Sequence, residues 1–349
     1  MAQVTGYGDI TPAVAAYSVV RMLNRAMPYL HFEKFGQTYV LPTNNTNVAK
    51  FRRYFLSGAT GAAGTGNPAQ NFYIPVATTP LVEGVTPTGS KLANQDYTAT
   101  LQQYGDYVTI TDVVMDTHTD PVLQQATDIL GEQAAVTVET LRYNVLKAGT
   151  NVFRANKVAQ VSDIVATVSV GDLRRVSTAL NRQNAKKISS VVASTPDFNT
   201  KSVEAAYMAV CHPDLETDLR TLSGYKPVAD YGPHTTPFEG EIGSFEQIRF
   251  MTSTVVTPYA DVGGANAALR ATTNASSAID VYPILIFGRD AYGIVPLKGK
   301  SAMTPMVVNP KPASGDPLAQ RGTVGWKLWN STVILQQAWM AILLVGATA

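Results

Sequence analysis

The residues able to do chemistry in this chain are few, and their spacing assembles no reactive centre. Cys211 and His212 form the one adjacent pair of a nucleophile and a base. They fall in a predicted strand, where consecutive side chains point to opposite faces, so the imidazole cannot take the thiol proton. Cys211 reads as a small core residue. The histidines, His31, His118, His212 and His234, are scattered, with no HExxH pattern and no second cysteine to complete a zinc set. Asp112, Asp116, His118 and Asp120 are close enough in sequence to surround a hard cation. Asp120 is better placed as a helix cap, and the others as solvated loop residues. The glycine run from Gly58 to Gly66 lacks the lysine of a phosphate-binding loop and enters no helix. Gly299-Lys300-Ser301 imitates the end of such a loop, yet Ile294 stands where the first glycine belongs. Pro296 and Pro305 then disrupt the loop and the helix that must follow it. The chain is therefore predicted to hold no catalytic residue, no cofactor and no metal.

Composition sets the class. Of 349 residues, 45% are hydrophobic, ample for a packed core, and only 15% are charged, against about 25% in an ordinary soluble protein. A surface so poor in charge is polar and neutral, or is covered by assembly. The net charge of +1 supplies no field to draw the protein onto nucleic acid or a membrane. A single cysteine excludes an intrachain disulfide and fits synthesis in a reducing cytoplasm. The first residues show no secretory signal. The most apolar stretch, 333–345, is shorter than the roughly 20 residues of a membrane span and is interrupted by Gln336 and Gln337, so it reads as one or two buried strands.

Proline, glycine and periodicity then mark the elements. A first helix is predicted from Pro12, capped by Thr11, to Pro28, followed by an extended arm over 30–48. Residues 50–56 and 97–111 read as strands, joined by a Gly/Pro-rich stretch into a long protruding hairpin that needs something to lie on. The apolar face of 97–111 switches near Gly105, which suggests a bulge or a strand contacted from both sides. The clearest element is a helix over 121–148, with Asp120 as cap. Its apolar stripe is Leu123, Ala126, Leu130, Ala134, Val138, Leu141, Val145 and Ala148. A shorter helix follows at 172–182. Strands at 206–211, 247–251 and 281–287 and a short helix from Pro213 make an α/β unit, with 263–277 as a loop insertion.

Two groups of side chains remain as candidate contacts. Arg52 and Arg53 sit on opposite faces of the first hairpin strand, suited to carboxylates of another subunit. With Tyr54, Tyr104 and Tyr107 they form the candidate inter-subunit set. Arg174, Arg175, Arg182, Lys186 and Lys187 form a basic cluster. DNA contact is one reading of it; a solvated helix face or inter-subunit salt bridges account for it equally, and no aromatic residues are interleaved for stacking.

An extended arm, a protruding hairpin, a long spine helix, an inserted α/β unit and closing strands resemble the Hong Kong 97-type fold of tailed-bacteriophage major capsid proteins. Specific strings carry the likeness: Gly36-Gln37, Lys50-Phe-Arg-Arg-Tyr54, the run from Thr79 to Pro87, Tyr104-Gly-Asp-Tyr-Val-Thr109 and Leu130-Gly-Glu-Gln133. Phe287-Gly-Arg-Asp-Ala-Tyr-Gly293 and Gly325-Trp-Lys-Leu-Trp329 extend it to most of the chain. The resemblance implies an α+β chain divided into an N-terminal arm (1–48), an extended loop (49–113), a peripheral domain (114–170 and 299–349, with the spine helix at 121–148) and an axial domain (171–298). It further implies self-assembly through hexamers and pentamers into an icosahedral shell around double-stranded DNA. The partners implied are a separate scaffolding protein, a portal, a decoration protein, and packaged DNA touched through its backbone. No membrane is implied, and the location is the virion, after synthesis in the host cytoplasm. The stretches 57–72 and 262–278 are longer than the family pattern. A bacterial cargo compartment built on the same fold is the alternative.

Overall fold

The computed structural model describes residues 30–44, 46–56, 80–86, 89, 91–117, 122–189, 191, 202–231, 238, 240–272, 278–297, 304–308 and 317–349. The expected first helix, the glycine run, the Asp120–Pro121 cap and Lys300-Ser301 lie outside these residues.

Strands among the described residues form four sheets. The largest has seven strands, in the order Val152–Arg154, Met340–Val345, Tyr282–Phe287, Tyr207–Cys211, Ile248–Thr252, Glu241–Phe245 and Tyr225–Pro227. Its three longest apolar runs, YMAVC, YPILIF and MAILLV, are buried at every position. Continuous apolar runs rather than alternating ones are what a strand covered on both faces requires. The helix Val170–Arg182 lies against Met340–Val345. Ser169 caps it: its hydroxyl oxygen accepts the Asp172 N–H at 3.2 Å and its O–H donates to the Asp172 carboxylate at 2.7 Å. Leu173, Val176 and Leu180 are the buried face, at helical spacing.

Within this sheet, Met340–Val345 runs antiparallel to Tyr282–Phe287 and parallel to Val152–Arg154. The sequence-based division put 299–349 with the spine helix, whereas this last strand sits inside the sheet built largely from 171–298. Six consecutive apolar residues need cover on both faces, which the interior of a wide sheet supplies.

A three-stranded sheet, Thr304–Val308, Arg321–Asn330 and Gln102–Thr111, carries the long helix Val122–Leu146 on one face. Ile110, Val324, Trp326 and Leu328 from the sheet meet Leu130, Ala134 and Val138 from the helix. At 25 residues the helix runs roughly 38 Å. No described helix is long and apolar enough to cross a membrane. The expected stripe holds from Ala126 to Val138 and then drifts. Leu141 and Val145 are only half-buried, and Ala148 is exposed beyond the helix end. Arg142, Tyr143 and Leu146 are buried instead. The reason is a change of partner. The first half packs on the three-stranded sheet, while Tyr143 and Leu146 enter the core of the seven-stranded one.

Of the two readings of the face switch near Gly105, a bulge or a strand contacted from both sides, the bulge is absent. Gln102–Thr111 pairs with Arg321–Asn330 in unbroken register, Gly105 opposite Lys327. The face switch arises at buried Leu101, where the chain leaves one sheet for another. Before it, Leu92–Thr100 pairs with Val48–Leu56 as a two-stranded hairpin, from Val48 opposite Thr100 to Leu56 opposite Leu92. Ala49, Ala99, Leu41 and Val295 bury the root of this hairpin. Phe51 lies directly over Gly293, where a Cβ would stand 2.7 Å from the ring. The insertion after Gly263 is tied down at its near end: Gly264 N–H donates to Ile164 O at 2.8 Å, and Gly263 N–H donates to Ile279 O at 2.9 Å.

Candidate functional site

Two exposed surfaces stand out. The first is the outer part of the hairpin. Arg52 faces Asp96 directly across the two strands and binds it through both nitrogens of one edge, Nε to Oδ1 at 2.8 Å and Nη2 to Oδ2 at 2.9 Å. The Arg52 guanidinium holds the Asp96 carboxyl below its ordinary range, and the carboxylate raises the arginine in turn. Arg53 points to the opposite face, as strand geometry demands. It is half-buried there and donates to Gln336 Oε1 at 2.6 Å, and burial lowers its pKa. Both arginines thus meet partners within the chain, Arg52 a carboxylate of its own hairpin and Arg53 the loop after strand Thr332–Ile334. Beyond them Tyr54 is 59% exposed and Leu92 62%.

The second surface is the face of the three-stranded sheet turned away from the spine helix. Met306, Gly325 and Tyr107 stand in one row across its strands. Tyr107 is 68% exposed, and Met306 and Val308, on the far strand of the same sheet, are also in the open. Tyr104, three residues before Tyr107, lies on the other face. It packs against the Leu130–Trp326 core and donates to Gln102 Oε1 at 2.5 Å. Sequence alone had grouped the two tyrosines; an odd spacing on a strand separates them. The sheet and helix are bolted together by Gln133, which accepts the Trp326 indole N–H at 3.1 Å and donates to Asp106 at 2.6 Å.

The basic cluster divides likewise. Arg174 is bound to Glu246 at 2.6 Å, which raises its pKa. Arg175 meets Asp172 at 3.2 Å, donates to the Arg154 carbonyl and lies over the Phe153 ring. Arg182, Lys186 and Lys187 form no ion pair among the described residues; Arg182 and Lys186 are exposed.

The one nucleophile is shut away. Cys211 is fully buried, its thiol donates to the Met251 carbonyl at 3.5 Å, and burial pushes its pKa up to about 12. His212 projects elsewhere: Nδ1 accepts the Asp214 N–H at 3.2 Å, capping the turn Pro213–Leu215. Burial lowers its pKa against the pull of Asp214. Asp112 accepts the N–H of Val113 at the start of helix Asp112–Thr117; His118 and Asp120 lie outside the described residues. Among the described residues no group of three or more His, Cys, Asp or Glu is placed to hold a metal.

Sequence reasoning missed the buried pair Glu139 and Arg142 on the core side of the spine helix, 3.3 Å apart. A signal was available: Arg142 lies four residues after Val138 and Glu139 four after Ala135, spacings that share a helix face.

Comparison with known proteins agrees with this arrangement. A family model described as phage capsid protein matches residues 95–345. No curated protein matches the chain. Among solved structures, the capsid of Ralstonia phage GP4 aligns with 100% of this chain and 99% of its own, with a TM-score of 0.65 at 14% identity. The capsid of cyanophage P-SCSP1u aligns over 91% and 88%, with a TM-score of 0.57 at 15% identity. That of cyanophage Pam1 aligns over 93% and 92%, with a TM-score of 0.53 at 16% identity. Likeness at such identities concerns the fold, which is the Hong Kong 97-type capsid fold. With the family match covering most of its length, the chain belongs to the phage capsid protein family and is a structural major capsid protein of a phage shell.

Proposed function

We propose that this protein builds the icosahedral head of a tailed phage around double-stranded DNA, by closing hexamers and pentamers whose hairpins lie on neighbouring subunits. The observation that carries this is the hairpin. Among the described residues it is a two-stranded sheet, its root packed and its outer half presenting Tyr54 and Leu92 to solvent. Isolated two-stranded ribbons are marginal in water, so stability has to come from adjacent copies. Closed symmetric rings satisfy every such contact. Arg52, Arg53, Tyr54, Tyr104 and Tyr107 are the residues assigned to this interface. Of these, Tyr54 and Tyr107 reach furthest from the subunit, Arg52 holds the hairpin straight, and Arg53 and Tyr104 act through its seat on the body. The arm (1–48), extended loop (49–113), peripheral segments (114–170 and 299–349) and axial segment (171–298) are the working division. The role is structural, with no catalytic step.

Packaged DNA meets the shell through its phosphates. Arg182, Lys186 and Lys187 are the cations left for it, because Arg174 and Arg175 are already paired. The remaining partners are a scaffolding protein, a portal and a decoration protein, and synthesis is in the host cytoplasm. Expressing the full chain with and without the scaffolding protein, followed by electron microscopy, tests the reading. Closed icosahedral particles are expected, and deletion of 57–72 should reduce them more than it reduces folded subunit. Small defined oligomers under both conditions would overturn it. For DNA, replacing Arg182, Lys186 and Lys187 with glutamine should weaken genome retention at raised salt, whereas Arg174→Gln should not.

A further inference from the structure

The arm turn Phe32–Lys34 seats on the second half of the spine helix through an unusual arrangement of charge. Glu139 is fully buried and Arg142 nearly so. Glu139 Oε2 accepts the backbone N–H of Phe32 at 3.2 Å. The carbonyl of the same residue accepts the Tyr292 hydroxyl at 2.5 Å. Both polar backbone groups of Phe32 are thus held by side chains from two other elements, while its ring is buried beside Phe287.

Arg142 lies 3.3 Å from Glu139 and 3.2 Å from Glu33 on the turn, so two carboxylates share one guanidinium. The Arg142 Nε has no hydrogen-bond partner among the described residues. Tyr292 is buried and held neutral; His31 lies against Gly240, and Lys34 is exposed. Holding the Glu139 carboxylate away from water is costly even beside Arg142, and a proton removes that cost.

We propose that Glu139 couples the seating of the arm turn on the spine helix to uptake of one proton. With the turn lifted, Glu139 is solvated and ionises as an ordinary carboxyl. With the turn seated, burial pushes it up to about 7, against the opposing pulls of Arg142 and the Phe32 N–H. A carboxyl whose seated pKa is raised contributes fully below its ordinary range, and its contribution is lost as pH rises through 7. The turn is held most tightly in acid and loosens as pH rises towards 7, with no further change in alkali. The neutral carboxyl keeps the Phe32 hydrogen bond through its carbonyl oxygen.

Hydrogen exchange read by mass spectrometry on peptides spanning 30–36 of the full-length protein tests this, from about pH 4.5 to 8.5 with intrinsic rates removed. Protection should fall roughly tenfold per pH unit from the ordinary carboxyl range up to about 7 and be flat above it, the break marking the midpoint of the seated Glu139 titration. Glu139→Gln should abolish that fall. Glu33→Gln, at a half-exposed position that tolerates change, should move the midpoint to lower pH by removing one of the two carboxylates. Tyr292→Phe should lower protection at every pH and leave the midpoint in place. An unchanged profile in Glu139→Gln, or an unmoved midpoint in Glu33→Gln, would overturn the proposal. If Glu139→Gln does not fold, the Glu33→Gln midpoint decides.

Discussion

Gly325 lies directly opposite Tyr107 across neighbouring strands, so close that a Cβ on Gly325 would stand 2.7 Å from the tyrosine Cβ and 2.8 Å from the Asp106 carbonyl. The obstruction is backbone and Cβ, which cannot swing aside. Gly325→Ala should therefore part the two strands and destabilise the subunit by about 1–3 kcal/mol. Denaturant unfolding of the subunit measures this. A loss within error would show that the strands can separate freely.

The spine helix is held to the sheet by a compact cluster in which Leu130 is buried. Leu130→Ala should cost about 2–5 kcal/mol, transfer and cavity together. The loss should appear as a lowered unfolding midpoint with unchanged helical content at low temperature. Ile129, next to it but 61% exposed, should tolerate alanine with little change, which makes it the control.

Cys211 should resist iodoacetamide in the native protein at neutral pH and react fully once unfolded. Its thiol is buried and its pKa is pushed up to about 12, so almost no thiolate exists to attack. Labelling of the native subunit at a rate near that of free cysteine would mean that the central strands open readily.

At the hairpin, Arg52→Ala removes a solvent-exposed pair with Asp96. Such pairs add little to the stability of a subunit. Thermal unfolding of the isolated subunit should barely change, whereas particle yield should fall, because the hairpin loses the brace that fixes its outer half. Tyr54→Ser should behave the same way. Equal effects on folding and on yield would place these residues in the subunit's own stability rather than in assembly.

Solution pH bears on a second buried glutamate, Glu241. It accepts the Tyr231 hydroxyl at 2.5 Å and lies 3.9 Å from buried Arg249, and burial raises its pKa. The sign is that of a raised acid: its contribution is fullest below the ordinary carboxylate range and fades as pH rises through its folded value. Glu241→Gln should therefore flatten part of the pH dependence of unfolding that begins above the ordinary carboxylate range. A curve parallel to wild type would remove Glu241 as a source.

Much of this protein was legible in order of residues alone. The helix Val122–Leu146 announced itself by apolar spacing, and Tyr207–Cys211 and Tyr282–Phe287 by unbroken β-forming runs, because these patterns depend only on near neighbours. The exclusion of Cys211-His212 needed nothing beyond the geometry of a strand. Family strings spread along the chain supplied the rest of the class. What the order of residues could not settle was pairing. That Met340–Val345 lies between Val152–Arg154 and Tyr282–Phe287, that the face of 97–111 switches because the strand changes sheets at Leu101, and that Arg52 finds Asp96 all depend on contacts between distant segments. The same holds for Glu139. On a helix wheel it is a polar residue beside the stripe; only the arm turn folding back across 107 residues of chain closes water out, leaves two carboxylates with one arginine, and turns an ordinary glutamate into a buried acid.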